Sequence, residues 1–139
     1  MKINGRDVSN ESKLTVFGGV NVIESDDLLF SVAEKFKILS EKLDFNYVFK
    51  ASFDKANRSS LSGKRGIGIN SGLEILADIK AKGTPTLTDV HEVVQVNDAA
   101  QAVDVLQIPA FLCRQTDLSL IHISEPTRRT PISYAVFCL

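Results

Sequence analysis

The chain has 139 residues, of which 44% are hydrophobic and 24% charged, and its formal net charge is −1 at pH 7. This composition is ordinary for a globular domain, and the near-neutral charge argues against nucleic-acid and membrane partners. No apolar run approaches the roughly 18 residues that a membrane-spanning helix needs, and no signal peptide is visible. Two cysteines, Cys113 and Cys138, are too few for a disulfide framework, so a reducing, cytoplasmic location is expected.

The N-terminal residues predict a small hairpin followed by a first strand. Ile3 and Leu14 flank the turn-rich stretch GRDVSNES, a pattern typical of a hairpin. Residues 15–22 predict a strand that is interrupted by Gly18 and Gly19. Paired glycines in a strand indicate a bulge or a close approach of the backbone to another group.

Helices and strands then alternate along the chain. Ser25 is expected to cap a helix whose apolar residues follow helical spacing from Leu28 to Leu43. Further strands are predicted at residues 46–49, 84–88 and 103–108, and further helices at residues 69–79 and 93–102. This alternation predicts an α/β fold with parallel strands joined by helical crossovers. It is typical of the (β/α)8 TIM-barrel family, here with only about the first four βα units plus the hairpin.

Residues 1–117 therefore predict the N-terminal half of a barrel. A barrel of this class needs about 250 residues, so the fourth strand is expected to have an open edge.

Residues 118–139 differ in character from the rest of the chain. The stretch LSLIHISEPTR resembles the translation of a transposon-type sequencing-library adapter, and ISYAVFCL resembles that of a flow-cell adapter. We expect residues 118–139 to form no domain, and we exclude His122 and Cys138 from any site. The alternative is a genuine short strand with a loop bounded by proline.

The loop after the second strand carries the clearest chemical signal. Lys50, Lys55, Arg58, Lys64 and Arg65 place five cations within it, beside neutral donors and glycines. Phosphate groups are bound by cations and hydrogen-bond donors acting together. The alternative is a solvated basic loop, which composition alone favours.

Other candidate residues give weaker signals. His91 follows a strand beside Asp89 and could transfer a proton or bind a metal, although a single histidine is more often structural. Glu24 and Asp89 could act as acid or base, but two carboxylates on different strands are a weak indication. Cys113 is more typical of a small buried residue than of a nucleophile.

Several motifs together carry a family resemblance. In chain order they are VFGGVNVIES, YVFKASFDKANRSS, RGIG, TDVHE and QIPAFLCRQTD. With them, residues 1–117 resemble the 3-deoxy-D-manno-octulosonate 8-phosphate synthases. The related arabino-heptulosonate 7-phosphate synthases share the fold and the phosphoenolpyruvate chemistry, but their sugar-binding loop usually differs from KANRSS.

The resemblance implies a tetrameric barrel enzyme without a cofactor. Its implied reaction joins phosphoenolpyruvate, D-arabinose 5-phosphate and water to give the octulosonate 8-phosphate and inorganic phosphate, in lipopolysaccharide sugar biosynthesis. The later strands of the family supply further site residues, so we expect the 139-residue chain to be inactive by itself. A heptulosonate-type enzyme and a non-catalytic, phosphate-binding barrel remnant remain as alternatives.

The resemblance also implies roles for single residues. Lys50 and Lys55, which with Asn21 would be the catalytic residues, would hold the carboxylate and phosphate of phosphoenolpyruvate. Gln107 and the backbone of Ala110 would complete that pocket. Metal-dependent members of the family have Cys where this chain has Asn21, which implies that no metal is needed. The remaining residues assigned to substrate binding are Ser52, Asn57, Arg58 and Ser59, with Arg58 reaching the site of a neighbouring subunit.

Overall fold

The computed structural model describes residues 2–55, 66–112, 114, 115, 117 and 118, and the backbone of residues 134–138. Its helices are α1 (Asp26–Leu43), α2 (Ile69–Ala81) and α3 (Val96–Ala102). Its strands are β1 (Lys2–Ile3), β2 (Arg6–Asp7), β3 (Thr15–Gly19), β4 (Asn46–Lys50), β5 (Thr86–Asp89), β6 (Val105–Pro109) and β7 (Tyr134–Cys138). Short 3₁₀ turns at Val93–Gln95 and Ala110–Leu112 precede α3 and follow β6.

The main sheet has the strand order β3-β4-β5-β6-β7. The pairs β3–β4, β4–β5 and β5–β6 are parallel, and a helix connects each pair. This confirms the predicted α/β fold with four parallel strands. Closure into a barrel stays a prediction.

The N-terminal hairpin is tighter than the sequence suggested. β1 and β2 pair antiparallel around Asn4 and Gly5, whose φ angles are 47° and 75°. Positive φ at both central residues is the geometry of a two-residue hairpin turn, for which Asn-Gly is a preferred pair. Arg6 and Asp7, which were predicted to be turn residues, therefore form the second strand.

The first parallel strand ends earlier than predicted. β3 runs through both glycines and stops at Gly19, whereas the sequence predicted a strand to Val22. A Cβ atom on Gly19 would lie 2.1 Å from the carbonyl oxygen of Lys50, so the backbones of β3 and β4 approach closely here. The close approach expected of the glycine pair is thus confirmed, and it holds β3 within the ladder instead of breaking it.

α1 begins and ends as local sequence predicts, whereas the helix predicted at residues 93–102 begins with a 3₁₀ turn at Val93–Gln95 before α3. The Ser25 side chain accepts a hydrogen bond from the backbone N–H of Leu28 and caps α1, with two aspartates in the first turn. α1 ends where Asp44 adopts a left-handed conformation and donates its N–H to the carbonyl of Ser40. Phe36 of α1 stacks on Tyr47 of β4, with ring centroids 5.1 Å apart.

The parallel sheet has two distinct apolar faces. The helices cover one face, where the main core contains Tyr47, Phe49, Leu76, Leu106 and neighbouring residues. On the opposite face lies a smaller apolar cluster of Ile3, Val48, Leu87 and Val105. Ile3 is the side chain that the hairpin contributes to it. The hairpin therefore covers the apolar part of the face that carries the functional residues described below.

Residues beyond Asp117 contribute more to the structure than predicted. Leu118 is 2% exposed and belongs to the main core. β7 pairs antiparallel with β6, so the open edge predicted at the fourth parallel strand is wrong. A free strand edge offers unpaired N–H and C=O groups to any extended segment, and Tyr134–Cys138 is rich in strand-forming residues. That residues 118–139 are the translation of sequencing adapters stays a prediction.

No helix in the described part of the chain combines the length and the hydrophobicity that a membrane span requires.

Candidate active site

Three polar residues lie at the C-terminal ends of neighbouring parallel strands. Lys50 ends β4, Asp89 ends β5, and Gln107 lies near the end of β6. Each comes two residues after a member of the hairpin-side apolar cluster, and residues two apart in a strand share a face. The parallel register sets Asp89 directly opposite Gln107. One face of the sheet therefore presents a cation, an anion and an amide beyond its apolar layer.

The segment after β4 adds a second cation. The Lys55 Nζ donates a hydrogen bond to the fully buried Ser52 hydroxyl at 3.0 Å. The adjacent Phe53 is 1% exposed and packs against α2 at Gly72, where a Cβ atom would lie only 2.5 Å from the Phe53 Cβ. Gly66 approaches the Phe53 carbonyl in the same way. Close packing therefore holds this segment, and with it Lys55, in place.

The electrostatics of Lys50 indicate a site suited to an anion. Burial lowers the pKa of Lys50, Asp89 partly offsets that effect, and Lys55 lowers the pKa further. Two cations thus lie close together in a half-buried place. An anion bound between them would relieve their repulsion and favour the charged form of Lys50.

Asp89 balances this positive charge. Its Oδ2 lies 3.2 Å from the Nε2 atom of His91. Burial alone would raise the pKa of Asp89, but hydrogen bonding from His91 and Ser52 and the charges of Lys50 and Lys55 outweigh it, so the pKa lies below the ordinary value. Asp89 is therefore an ionised, buried carboxylate at neutral pH.

The loop between β3 and α1 lies alongside this cluster. The Val20 N–H donates to the Lys50 carbonyl and the Ile23 N–H to the Ser52 carbonyl, each at 3.0 Å. Asn21 is exposed between these two anchors. The structure thus places Asn21 at the same end of the sheet as the lysines.

The other predicted residues divide into two groups. Gln107 is buried, and Ala110 is half-buried in the 3₁₀ turn directly after β6. Asn57, Arg58 and Ser59 lie outside the described residues, as do Lys64 and Arg65. The described chain therefore brings together Asn21 and the residues from Lys50 to Lys55 with those of β6.

Asp89 is the site residue that sequence reasoning undervalued. In the sequence it is one of two carboxylates on different strands, but in the structure Glu24 is exposed and Asp89 is buried beside Lys50. A signal was available, since Asp89 follows the apolar Leu87 by two residues, as Lys50 follows Val48. The alternation places each polar residue on the face of its apolar predecessor.

No group of three or more His, Cys, Asp or Glu side chains suited to holding a metal ion occurs among the described residues. The side chains gathered at this end of the sheet are two lysines, a carboxylate, an imidazole, a hydroxyl and the amides of Asn21 and Gln107. Such a set can bind anions, orient them and transfer protons.

Fold and site together define a class of protein. It is an α/β protein with a candidate anion-binding site at the carboxyl ends of its parallel strands, where ligands of such sheets bind. The model of the DAHP synthetase I family matches residues 3–125. The chain belongs to that family.

Curated relatives are named 2-dehydro-3-deoxyphosphooctonate aldolase. The protein from Marinobacter nauticus is 52% identical over 119 residues, which cover 85% of this chain and 42% of the relative. The protein from Colwellia psychrerythraea is 50% identical over 135 residues, with 91% and 48% covered. One from Pseudomonas putida, aldolase 2, is 51% identical over 120 residues, with 85% and 43% covered. The chain thus spans a little under half the length of these relatives, and the resemblance seen in the sequence is confirmed.

Proposed function

We propose that this chain is the N-terminal half of an enzyme that condenses phosphoenolpyruvate with D-arabinose 5-phosphate and water. The products are 3-deoxy-D-manno-octulosonate 8-phosphate and inorganic phosphate, and the reaction serves lipopolysaccharide sugar biosynthesis. The octonate name shared by the relatives supports an eight-carbon product. Three carbons from phosphoenolpyruvate and five from the pentose phosphate account for those eight.

The observation that carries the proposal is the proximity of Lys50 and Lys55 at the strand ends, with Lys55 bonded to the buried Ser52. Phosphoenolpyruvate has a carboxylate and a phosphate on one small frame, so it needs two cationic contacts a short distance apart. Each charge-assisted contact is shorter and stronger than a neutral hydrogen bond. In our proposal these lysines hold phosphoenolpyruvate, while the amide of Gln107 and the backbone of Ala110 complete its pocket.

The condensation forms a carbon–carbon bond between the methylene carbon of phosphoenolpyruvate and the aldehyde carbon of the sugar. Water supplies an oxygen atom and phosphate leaves. Both substrates are anions, so fixed cations offset their repulsion and hold the reacting carbons close together. Asn57, Arg58 and Ser59 are proposed to bind the sugar phosphate, and Asn21 to serve a reaction without a metal ion. The complete protein is proposed to be a barrel, a homotetramer and cytoplasmic.

Calorimetric titration of the 139-residue chain with phosphoenolpyruvate tests the proposal. Lys50→Met should weaken binding by at least about tenfold, because a contact to a charged group contributes about 1.5–3 kcal/mol. Lys35→Met is the matched control, since Lys35 is exposed on α1, and it should bind as the unaltered chain does. Equal affinity of the Lys50→Met and unaltered chains would contradict the role proposed for Lys50.

A seven-carbon product is the second candidate, favoured by the description of the matching family as DAHP synthetases. Such an enzyme would use a four-carbon aldose phosphate in place of the pentose. Assay of the complete gene product with both sugars decides between them. We expect faster phosphate release with arabinose 5-phosphate, and a preference for the four-carbon sugar would reverse the assignment.

A further inference from the structure

The turn that follows β5 is organised by one amide oxygen. The Gln95 Oε1 accepts a hydrogen bond from the His91 N–H at 2.9 Å and another from the Glu92 N–H at 3.3 Å. In return, the Glu92 side chain accepts from the backbone of Gln95, which completes a reciprocal capping box. Residues 91 and 92 are thereby tied to the start of the helical segment that follows.

This turn determines where His91 lies. Just before it, the Val90 N–H donates to the Gln107 carbonyl at 3.0 Å, which fixes the chain at the end of the sheet. With its backbone held on both sides, the His91 imidazole lies 3.2 Å from the Asp89 carboxylate. It also makes an edge contact with Phe53, with ring centroids 6.4 Å apart. His91 is thus held between the buried carboxylate and the segment that carries Lys55.

We infer that Gln95 is a positioning residue for the candidate active site: its amide oxygen holds the 91–92 turn so that His91 stays against Asp89. Gln95 itself is half-buried outside the cluster of polar residues at the strand ends. Its effect reaches the lysines only through His91 and Asp89. The inference about orientation rests on the hydrogen bonds alone, whereas its consequence for substrate binding rests on the proposed function.

The test follows the Asp89 carboxyl carbon by NMR as pH is varied, in the 139-residue chain labelled with ¹³C-aspartate. Among the described residues, the charged or titratable groups facing Asp89 are Lys50 from β4, Lys55 from the segment after it, and His91 from its own turn, while Gln107 of β6 is neutral. Gln95→Met keeps the length of the side chain but lacks the acceptor. Loss of the His91 contact should therefore raise the pKa of Asp89.

Two further variants test whether the reach of the Gln95 amide, and not substitution in this region as such, changes the pKa of Asp89. Gln95→Asn keeps the amide but is one methylene shorter, and it should raise the pKa of Asp89 as Gln95→Met does. Gln101→Met, an exposed position on α3, is the control and should leave Asp89 unchanged. If Asp89 titrates identically in the unaltered, Gln95→Met and Gln95→Asn chains, the inference is overturned.

Parallel titrations with phosphoenolpyruvate separate this inference from the proposed function. We expect Gln95→Met to bind more weakly than the unaltered chain, with a smaller loss than Lys50→Met shows. If Asp89 responds to Gln95 but no variant binds phosphoenolpyruvate, the positioning role stands and the proposed function fails. If the unaltered chain binds phosphoenolpyruvate and the pKa of Asp89 does not change when Gln95 is substituted, the proposed function stands and the positioning role fails.

Discussion

Asp89 is a buried carboxylate whose neighbours favour its ionised form, and this has a consequence for stability in acid. Its folded-state pKa lies below the ordinary 3.8. The stability that its ionised form contributes is therefore fully present above about pH 4, and it is lost as the pH falls through the folded-state value. The carboxylate stabilises the fold at neutral pH and does so less in acid.

We therefore predict that Asp89→Asn lowers the free energy of unfolding at pH 6, by about 1–2 kcal/mol for a buried charge-assisted network. At pH 3 the difference between the two chains should be smaller. Urea unfolding at both pH values measures it. Asp98→Asn, on the exposed side of α3, is the control and should change little at either pH. A difference for Asp89→Asn that is the same at both pH values would contradict the prediction.

A second carboxylate connects elements at the other end of the strands. The Asp104 Oδ2 accepts a hydrogen bond from the Thr86 N–H at 2.9 Å, and its Oδ1 lies 3.4 Å from the Lys80 Nζ. The Asp104 side chain is 15% exposed. It therefore ties α2 and β5 to the residue that precedes β6.

Removing this carboxylate should leave the Thr86 N–H without an acceptor. We predict that Asp104→Ala lowers the free energy of unfolding by about 1–3 kcal/mol. Asp104→Asn keeps one carbonyl oxygen for Thr86 and should cost less than half as much. Chemical denaturation of both variants measures the two effects, and equal losses would show that the hydrogen bond to Thr86 contributes nothing.

At the scale of whole elements, α2 packs closely against the candidate site at Gly72. No side chain fits at Gly72, because a Cβ atom there would lie 2.5 Å from the Phe53 Cβ. An alanine would push α2 away from the segment that carries Ser52 and Lys55. This small residue thus sets the distance between the helix and the candidate site.

Gly72→Ala is predicted to destabilise the chain by about 1–3 kcal/mol, as overpacking of a core does. The sign of this change is informative, because alanine favours a helix over glycine by about 1 kcal/mol. Helix propensity alone would therefore predict that Gly72→Ala stabilises the chain. Ser71→Ala changes the adjacent, exposed position on the same helix and should be neutral or slightly stabilising. Thermal unfolding compares the two, and a stabilised Gly72→Ala chain would show that Phe53 can move aside at little cost.

For the whole molecule, the relevant fact is that the chain spans a little under half of the relatives described above. The candidate site draws on four parallel strands, and the family resemblance implies that later strands supply further groups for the proposed reaction. We predict that the purified 139-residue chain releases no phosphate from phosphoenolpyruvate and arabinose 5-phosphate. A colorimetric phosphate assay with both substrates measures this, and detectable turnover would contradict it.

The gene itself offers an independent test at this scale. Genomic DNA read through the codon for Asp117 should continue in frame into further strands and helices, with the adapter-like residues replaced. If the frame instead reads LSLIHISEP to a stop, the chain is a natural half-barrel. It would then be tested as a binding protein or a degenerate remnant, and not as an enzyme.

The sequence by itself determined the local elements and the family. The cap at Ser25 and the alternation of helices and apolar strands are set by patterns within a few neighbouring residues. They could therefore be predicted without a structure. The motif around Lys50 and Lys55 likewise predicted the family from the sequence. Its family assignment is confirmed by the match over residues 3–125.

Only the tertiary structure decided which residues meet. Asp89 lies beside Lys50 because the register of three parallel strands brings distant parts of the chain to one edge. The glycine pair stays within β3 because Gly19 pairs with Lys50 of β4, and the pairing of β7 depends on the free edge of β6. Strand pairing is a contact between segments far apart in sequence, and the periodicity within one segment carries no information about its partner.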